Sequence, residues 1–86
     1  MARKQVSAED REVGHRLGAA LRDARNAAGM SAQTVASVSE LSIDTVRSIE
    51  TGRTASPSFI TVARIADALG VSLDRLHNAV RSESSS

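Results

Sequence analysis

The sequence predicts an all-α fold, a compact bundle of five short helices. Apolar residues recur at intervals of three and four along most of the chain, which is the spacing of one buried helix face. Glycines, and serines directly before apolar runs, divide the chain into five such segments, as helix ends and helix starts do. The chain has 86 residues and a single proline. It therefore has room for one domain, and little interrupts its helices.

The first helix is predicted over residues 8–28. Ser7 begins a capping box in which an Asp takes the place of the usual Glu. Gly29 is a suitable residue to end the helix. Gly14 and Gly18 weaken it, each by about 1 kcal/mol relative to Ala. The positions predicted to face inward are Val13, Leu17, Leu21, Ala24 and Ala28.

Two shorter helices follow, and each begins after a serine cap. Ser31 caps a helix that runs to about Ser39, and Ser42 caps a helix from Ile43 to Thr51. The positions predicted to face inward are Val35, Ala36 and Val38 on one, and Val46 and Ile49 on the other.

The fourth helix is predicted to begin at Ser56-Pro57, because Ser is a good cap and Pro is favoured at the first helical position. It runs to Leu69, and Gly70 ends it. The positions predicted to face inward are Phe59, Val62, Ala63, Ala66 and Leu69.

Ser72 caps a fifth helix that ends at about Val80. Residues 1–7 are expected to form a flexible basic arm, and the polar residues 81–86 a disordered tail. The domain between them covers residues 8–80.

The segment 32–51 carries the clearest functional signal. Two short helices that meet nearly at right angles need a small residue where their axes come close, and Ala36 fills that place. They also need apolar residues that lock the second helix onto the first, and Leu41, Val46 and Ile49 supply them. This is the helix-turn-helix arrangement, and it leaves the outer face of the second helix free.

An ordered set of short motifs extends this signal over about Leu17 to Leu76. The motifs are Leu21-Arg22-x-x-Arg25, Gly29-Met30-Ser31, Val35-Ala36, Leu41-Ser42, Thr45-Val46, Ile49-Glu50-x-Gly52-Arg53, Pro57-Ser58, Ala66-x-x-Leu69-Gly70-Val71 and Ser72-Leu73-Asp74-x-Leu76. In these motifs the sequence resembles the Cro and phage-repressor family of helix-turn-helix DNA-binding domains. The resemblance implies a five-helix domain of the lambda-repressor type. It also implies a transcriptional regulator, expected to be a repressor, that inserts the helix of residues 43–51 into the major groove of double-stranded DNA.

The resemblance assigns DNA contacts to two sets of side chains. The expected base-facing residues are Ile43, Asp44, Arg47 and Ser48. The expected phosphate-facing residues are Ser31, Gln33, Ser42, Thr45, Thr51, Arg53 and Thr54. Arg47 either reads a guanine bidentately or clamps a phosphate. Asp44 either accepts a hydrogen bond from cytosine N4 or serves as a favourable acid at a helix N-terminus.

An ion pair between Arg25 and Glu50 is also implied by the resemblance. Glu50 neighbours the core position Ile49, and a half-buried carboxylate requires a partner. The alternative is that Glu50 pairs only with Arg53 or is solvated.

The chain departs from the family's pattern at two positions. Ala32 stands where members usually carry a Gln that braces a phosphate and a base contact, and Gln33 comes one residue late, about 100° around the helix. Glu40 stands in the turn where members usually carry Gly. If that turn requires a positive φ, Glu costs roughly 1 kcal/mol there.

Members of the family normally bind inverted repeats as homodimers. A symmetric seam is expected to involve Ile60, Leu73, His77 and Val80. The alternative is that Leu73 and Leu76 close the monomer core and Val80 frays. The rival function is an antitoxin or other interaction module that uses the same fold with a protein as its main ligand.

Composition excludes several other classes. The chain has no Cys and one aromatic residue, which excludes disulfides, thiolate zinc sites and base-stacking platforms. Neither His15 nor His77 is followed three or four residues later by a residue that could ligate metal. The sequence shows no catalytic arrangement of residues, so no metal, cofactor or enzymatic activity is expected. No apolar run approaches the roughly 20 residues of a membrane span.

The formal net charge of +1 predicts few phosphate contacts. The excess of Ala and Arg over Lys is typical of a GC-rich bacterium or phage, and the expected location is the cytoplasm, at the nucleoid.

Overall fold

The computed structural model describes residues 8–81 and confirms the all-α prediction. The helices are α1 Ala8–Ala27, α2 Ala32–Ser39, α3 Ile43–Glu50, α4 Phe59–Leu69 and α5 Leu73–Arg81. Within residues 8–81 there is no strand. The last helix includes Arg81, one residue beyond its predicted end. The expected basic arm (1–7) and the rest of the expected tail (82–86) lie outside the described residues.

Serine caps define where four of the helices begin. The hydroxyl oxygens of Ser31, Ser42 and Ser58 each accept a hydrogen bond from the backbone N–H of the Thr three residues later, and Ser72 accepts one from Arg75. A cap of this kind contributes about 1 kcal/mol. The start predicted for α4 at Ser56-Pro57 was therefore wrong, because Ser58 is the residue that satisfies the first free N–H groups.

The core lies where the helices meet around α3. Its buried side chains are Leu21, Val35, Ala36, Val46, Ile49, Val62, Ile65, Ala66 and Leu76. Four residues predicted to face inward are exposed instead: Val13, Ala28, Val38 and Phe59. Phe59 is 70% exposed because it is the first residue of α4 and lies at the edge of the core. Ile65, which was not among the predicted inward positions, is buried.

Two glycines of α1 allow close backbone packing, Gly18 against the end of α3 and Gly14 against the loop that follows α3. A Cβ at Gly14 would lie 2.6 Å from the carbonyl oxygen of Ala55. A Cβ at Gly18 would lie 2.8 Å from the carbonyl oxygen of Glu50 and closer still to that of Ile49. The residues that weaken α1 as an isolated helix therefore permit the packing that fixes the position of α3.

The turn between α2 and α3 does require a positive φ. Glu40 has φ 61° and ψ 41°, which is the left-handed region that Gly adopts without strain. The N–H of Leu41 donates to the carbonyl oxygen of Ala36 at 2.8 Å, and the Leu41 side chain packs against the core. These contacts set the direction in which α3 leaves α2.

Candidate nucleic-acid interface

One face of α3 anchors the helix and the opposite face is open. Val46 and Ile49 are buried, whereas Asp44 and Arg47 are exposed and Ser48 is half-buried. Ile43 is half-buried and packs against the core, so only part of its side chain lies on the open face. Of the residues predicted to face bases, the structure thus places Asp44 and Arg47 furthest out.

A polar cluster spans this open face. The Nη2 atom of Arg53 donates to the Oγ atom of Ser48, and it lies 3.5 Å from Oδ1 of Asp44. The side chain of Asp44 is 85% exposed and that of Arg53 is 64% exposed. No pattern in the sequence links these residues, because nine positions separate Asp44 from Arg53 and no helical spacing relates them.

The turn that follows α3 is fixed by backbone hydrogen bonds. The N–H of Gly52 donates to the carbonyl oxygen of Ile49, and the N–H of Thr54 donates to that of Ser48, both at 3.1 Å. The hydroxyl of Thr51 donates to the carbonyl oxygen of Arg47 at 2.9 Å. The predicted phosphate contacts Thr51, Arg53 and Thr54 therefore lie together at the end of α3.

The remaining predicted phosphate contacts lie at the starts of α2 and α3. The hydroxyls of Ser42 and Thr45 are 2.8 Å apart, and Ser42 also accepts the backbone N–H of Thr45. One of the two hydroxyl protons is used between them, and the other stays available to an external acceptor. Ser31 forms the same arrangement with Thr34, and Gln33 is exposed.

A nearly buried ion pair holds the C-terminal end of α3 to α1. The Nε atom of Arg25 donates to Oε2 of Glu50 at 2.7 Å, and its Nη2 donates to Oε1 at 3.0 Å. The remaining Nη1 donates to the carbonyl oxygen of Met30 at 2.9 Å. The hydrogen bonds to Glu50, together with its charge, hold the pKa of Arg25 above its ordinary value. Arg25 thus stays cationic and joins α1, the following loop and α3.

An open apolar groove lies between α1, α4 and α5, and it shares no residue with the polar cluster. Its volume is about 300 Å³, and its lining residues are Leu17, Phe59, Val62, Leu73, Leu76, His77 and Val80. It contains three of the residues predicted for a dimer seam, and the fourth, Ile60, is 63% exposed. Leu73 also packs against the core, and the carbonyl oxygen of Val80 accepts a hydrogen bond from Arg16. Phe59 is the member of this surface that sequence reasoning missed.

Among residues 8–81, no three His, Cys, Asp or Glu side chains are grouped so as to hold a metal ion. No helix in this part of the chain is both long and apolar enough to cross a bilayer.

A family model described as a helix-turn-helix domain matches residues 16–79, from within α1 to near the end of α5. The match thus includes both short helices of the motif, the turn at Glu40 and the polar cluster. No curated protein matches the chain.

Proposed function

The chain belongs to the helix-turn-helix domain family, and on that premise we propose that it is a sequence-specific, double-stranded DNA-binding transcriptional regulator. It places α3 in the major groove, whose width of about 12 Å admits one helix. It represses transcription by occupying a site that the polymerase needs. Because its ligand is the chromosome, its place is the cytoplasm, at the nucleoid.

The observation that carries this proposal is the rigid mounting of an exposed polar helix face. The ion pair of Arg25 with Glu50 and the close approach at Gly18 fix one end of α3, and the turn at Glu40 fixes the other. A helix held at both ends loses little conformational entropy on binding, so its outward side chains act as preorganised contacts.

Direct readout is assigned to the open face of α3. Arg47 is the side chain best suited to guanine, because its guanidinium matches the O6 and N7 acceptors bidentately. Ser48 and the exposed part of Ile43 add weaker contacts, to a base edge and to a thymine methyl group. Arg47 bound to a phosphate instead is the other arrangement that its exposure permits.

Contacts with the DNA phosphates come from both ends of α3 and the start of α2. The first-turn N–H groups of α2 and α3, with their Ser31 and Ser42 caps, bind phosphate oxygens. Arg53 is the cation of this set. The other members are Gln33, Thr45, Thr51 and Thr54. With so few cations, each subunit contacts about four to six phosphates.

A homodimer on an inverted repeat compensates for that small number of contacts. Two copies joined through the apolar groove present two α3 helices to half-sites about 34 Å apart. The groove residues Leu73, His77 and Val80 and the neighbouring Ile60 form the seam, and the exposed ring of Phe59 extends it.

Selection of bound sequences from a random duplex pool, followed by fluorescence titration, tests the proposed function. We expect an inverted repeat to be selected, and its affinity to fall as salt rises. Arg47→Ala is expected to lower the affinity for the selected duplex about tenfold and to remove the base preference at one position. Arg22→Ala, which changes an exposed arginine of α1, is expected to leave both the affinity and the preference unchanged. A wild-type protein that binds no duplex even at low salt contradicts the proposal.

A protein-interaction module, such as an antitoxin, is the second candidate. The exposed pair Phe59 and Ile60 favours it, since large apolar side chains next to each other on a surface mark contacts with another protein. Failure of the duplex titration, with a folded protein that remains monomeric, would favour this candidate over the first.

A further inference from the structure

Asp44 is an unexpected residue on a face that meets DNA, because its carboxylate repels phosphates. Its charge is not isolated, however, since Oδ1 lies 3.5 Å from Nη2 of Arg53. The same nitrogen donates to Ser48. Asp44 and Ser48 are one helical turn apart, so together they hold the guanidinium of Arg53 against the open face of α3.

The turn at Gly52 brings Arg53 back to this position. Gly52 has φ 78° and is buried, and a Cβ there would lie 2.8 Å from Cγ of His15. The backbone on either side of Arg53 is bonded to the end of α3, through the N–H groups of Gly52 and Thr54. The side chain of Arg53 therefore starts beside α3 and reaches Asp44 without rearrangement of the turn.

Resting on the proposed function, we propose that Asp44 determines base specificity by exchanging partners with Arg53. In the free protein the carboxylate of Asp44 is paired with the guanidinium of Arg53. On DNA, a phosphate oxygen takes the guanidinium, and the released carboxylate accepts a hydrogen bond from N4 of a cytosine. Asp44 is thus a positioning residue for Arg53 until binding occurs, and a specificity-determining residue afterwards.

This exchange discriminates between duplexes. Any duplex must break the contact between Arg53 and Asp44, and only one with a cytosine at the right place gives the carboxylate a new donor. Elsewhere the released carboxylate faces acceptor atoms and phosphates, which repel it. Non-specific binding is weakened by the exchange, and binding to the cytosine site is not.

A double-mutant cycle on DNA affinity tests the exchange, with Asp44→Asn, Arg53→Gln and the double variant. On random duplex at moderate salt, Asp44→Asn is expected to bind about threefold more tightly than the wild type, because an exposed ion pair no longer has to break. In the Arg53→Gln background the same change is expected to tighten binding by clearly less, because it then relieves only the repulsion between the carboxylate and the phosphates. Asp23→Asn is the charge-matched control, since it removes one negative charge from an exposed position of α1. All variants are checked for native helicity by circular dichroism.

Base preference gives the second readout. Sequences selected by the wild type are expected to contain a cytosine whose replacement lowers affinity about tenfold, and Asp44→Ala, which has no side-chain acceptor for the N4 hydrogen, is expected to lose that preference. Equal effects of Asp44→Asn with and without Arg53 overturn the exchange, as does a cytosine preference that survives Asp44→Ala. A wild type that binds no duplex overturns the proposed function and this inference with it, whereas binding with additive effects overturns this inference alone.

Discussion

Arg25 and Glu50 join the end of α1 to the end of α3 through two parallel hydrogen bonds of 2.7 Å and 3.0 Å. The two side chains are only 16% and 9% exposed, so each charge is stabilised mainly by the other and little by water. The third donor of Arg25 binds the carbonyl oxygen of Met30, which satisfies the guanidinium further. This pair therefore determines where the end of α3 lies relative to the rest of the domain.

Replacing Arg25 with Ala is expected to lower the free energy of unfolding by about 3 kcal/mol, because Glu50 would remain nearly buried without a partner. The figure is at the low end for buried pairs, since part of the Arg25 side chain reaches solvent. Urea unfolding followed by circular dichroism measures the change. Arg22→Ala, at an exposed position of the same helix, is expected to change it by less than about 0.5 kcal/mol. Equal losses for the two variants would contradict the role assigned to the pair.

Glu40→Gly is expected to stabilise the protein by about 1 kcal/mol. Glu40 holds φ 61°, where a Cβ lies too close to the following carbonyl oxygen, and Gly removes that Cβ. Thermal unfolding measures the gain. Glu40→Ala separates the backbone effect from the loss of the carboxylate, because Ala keeps the Cβ. A gain that is as large for Ala as for Gly would mean that the side chain, and not the backbone strain, is responsible.

The ends of the helices could be predicted from sequence because they depend on neighbouring residues. Ser31, Ser42 and Ser72 cap their helices as predicted, and Gly70 ends α4 with φ 73°. The predicted start of α4 at Ser56-Pro57 is wrong, because Ser58, two residues later, caps the helix and accepts the N–H of Thr61.

Contacts between residues far apart in the sequence could not be predicted in the same way. By sequence, Gly14 and Gly18 are weak points of a helix, but in the structure Gly18 packs against the end of α3 and Gly14 against the loop that follows it. Phe59 has the helical spacing of a core residue, but no element within residues 8–81 covers that end of α4. The contact between Asp44 and Arg53 depends on the turn at Gly52, whose path no periodic pattern encodes. The motif predicted the family and the outer face of α3, whereas these contacts are evident only in the structure.

Gly18→Ala is expected to destabilise the protein by about 1–3 kcal/mol. In an unobstructed helix this change stabilises by about 1 kcal/mol, so the sign of the effect distinguishes helix propensity from packing. Here the new Cβ would meet the backbone carbonyls at the end of α3, which cannot move aside as a flexible side chain can. Urea unfolding gives the sign. A stabilised Gly18→Ala protein would show that α1 and α3 are not in backbone contact.

Phe59→Glu is expected to convert a dimer into a monomer. Phe59 is 70% exposed and lines the apolar groove beside Leu73 and Val80, so in a symmetric seam a carboxylate there would be buried without a partner. Val38→Glu is the matched control, since Val38 is also an exposed apolar residue but lies beside Ser39 and Arg64, on a different surface. Light scattering measures the mass of each variant, and circular dichroism verifies that it is folded. The wild type and Val38→Glu are expected to have the mass of a dimer and Phe59→Glu that of a single chain. A folded Phe59→Glu protein with an unchanged dimer mass would place the seam elsewhere. A wild type that has the mass of a single chain at every concentration would contradict the proposed dimer, and each copy would then bind DNA with its own few phosphate contacts.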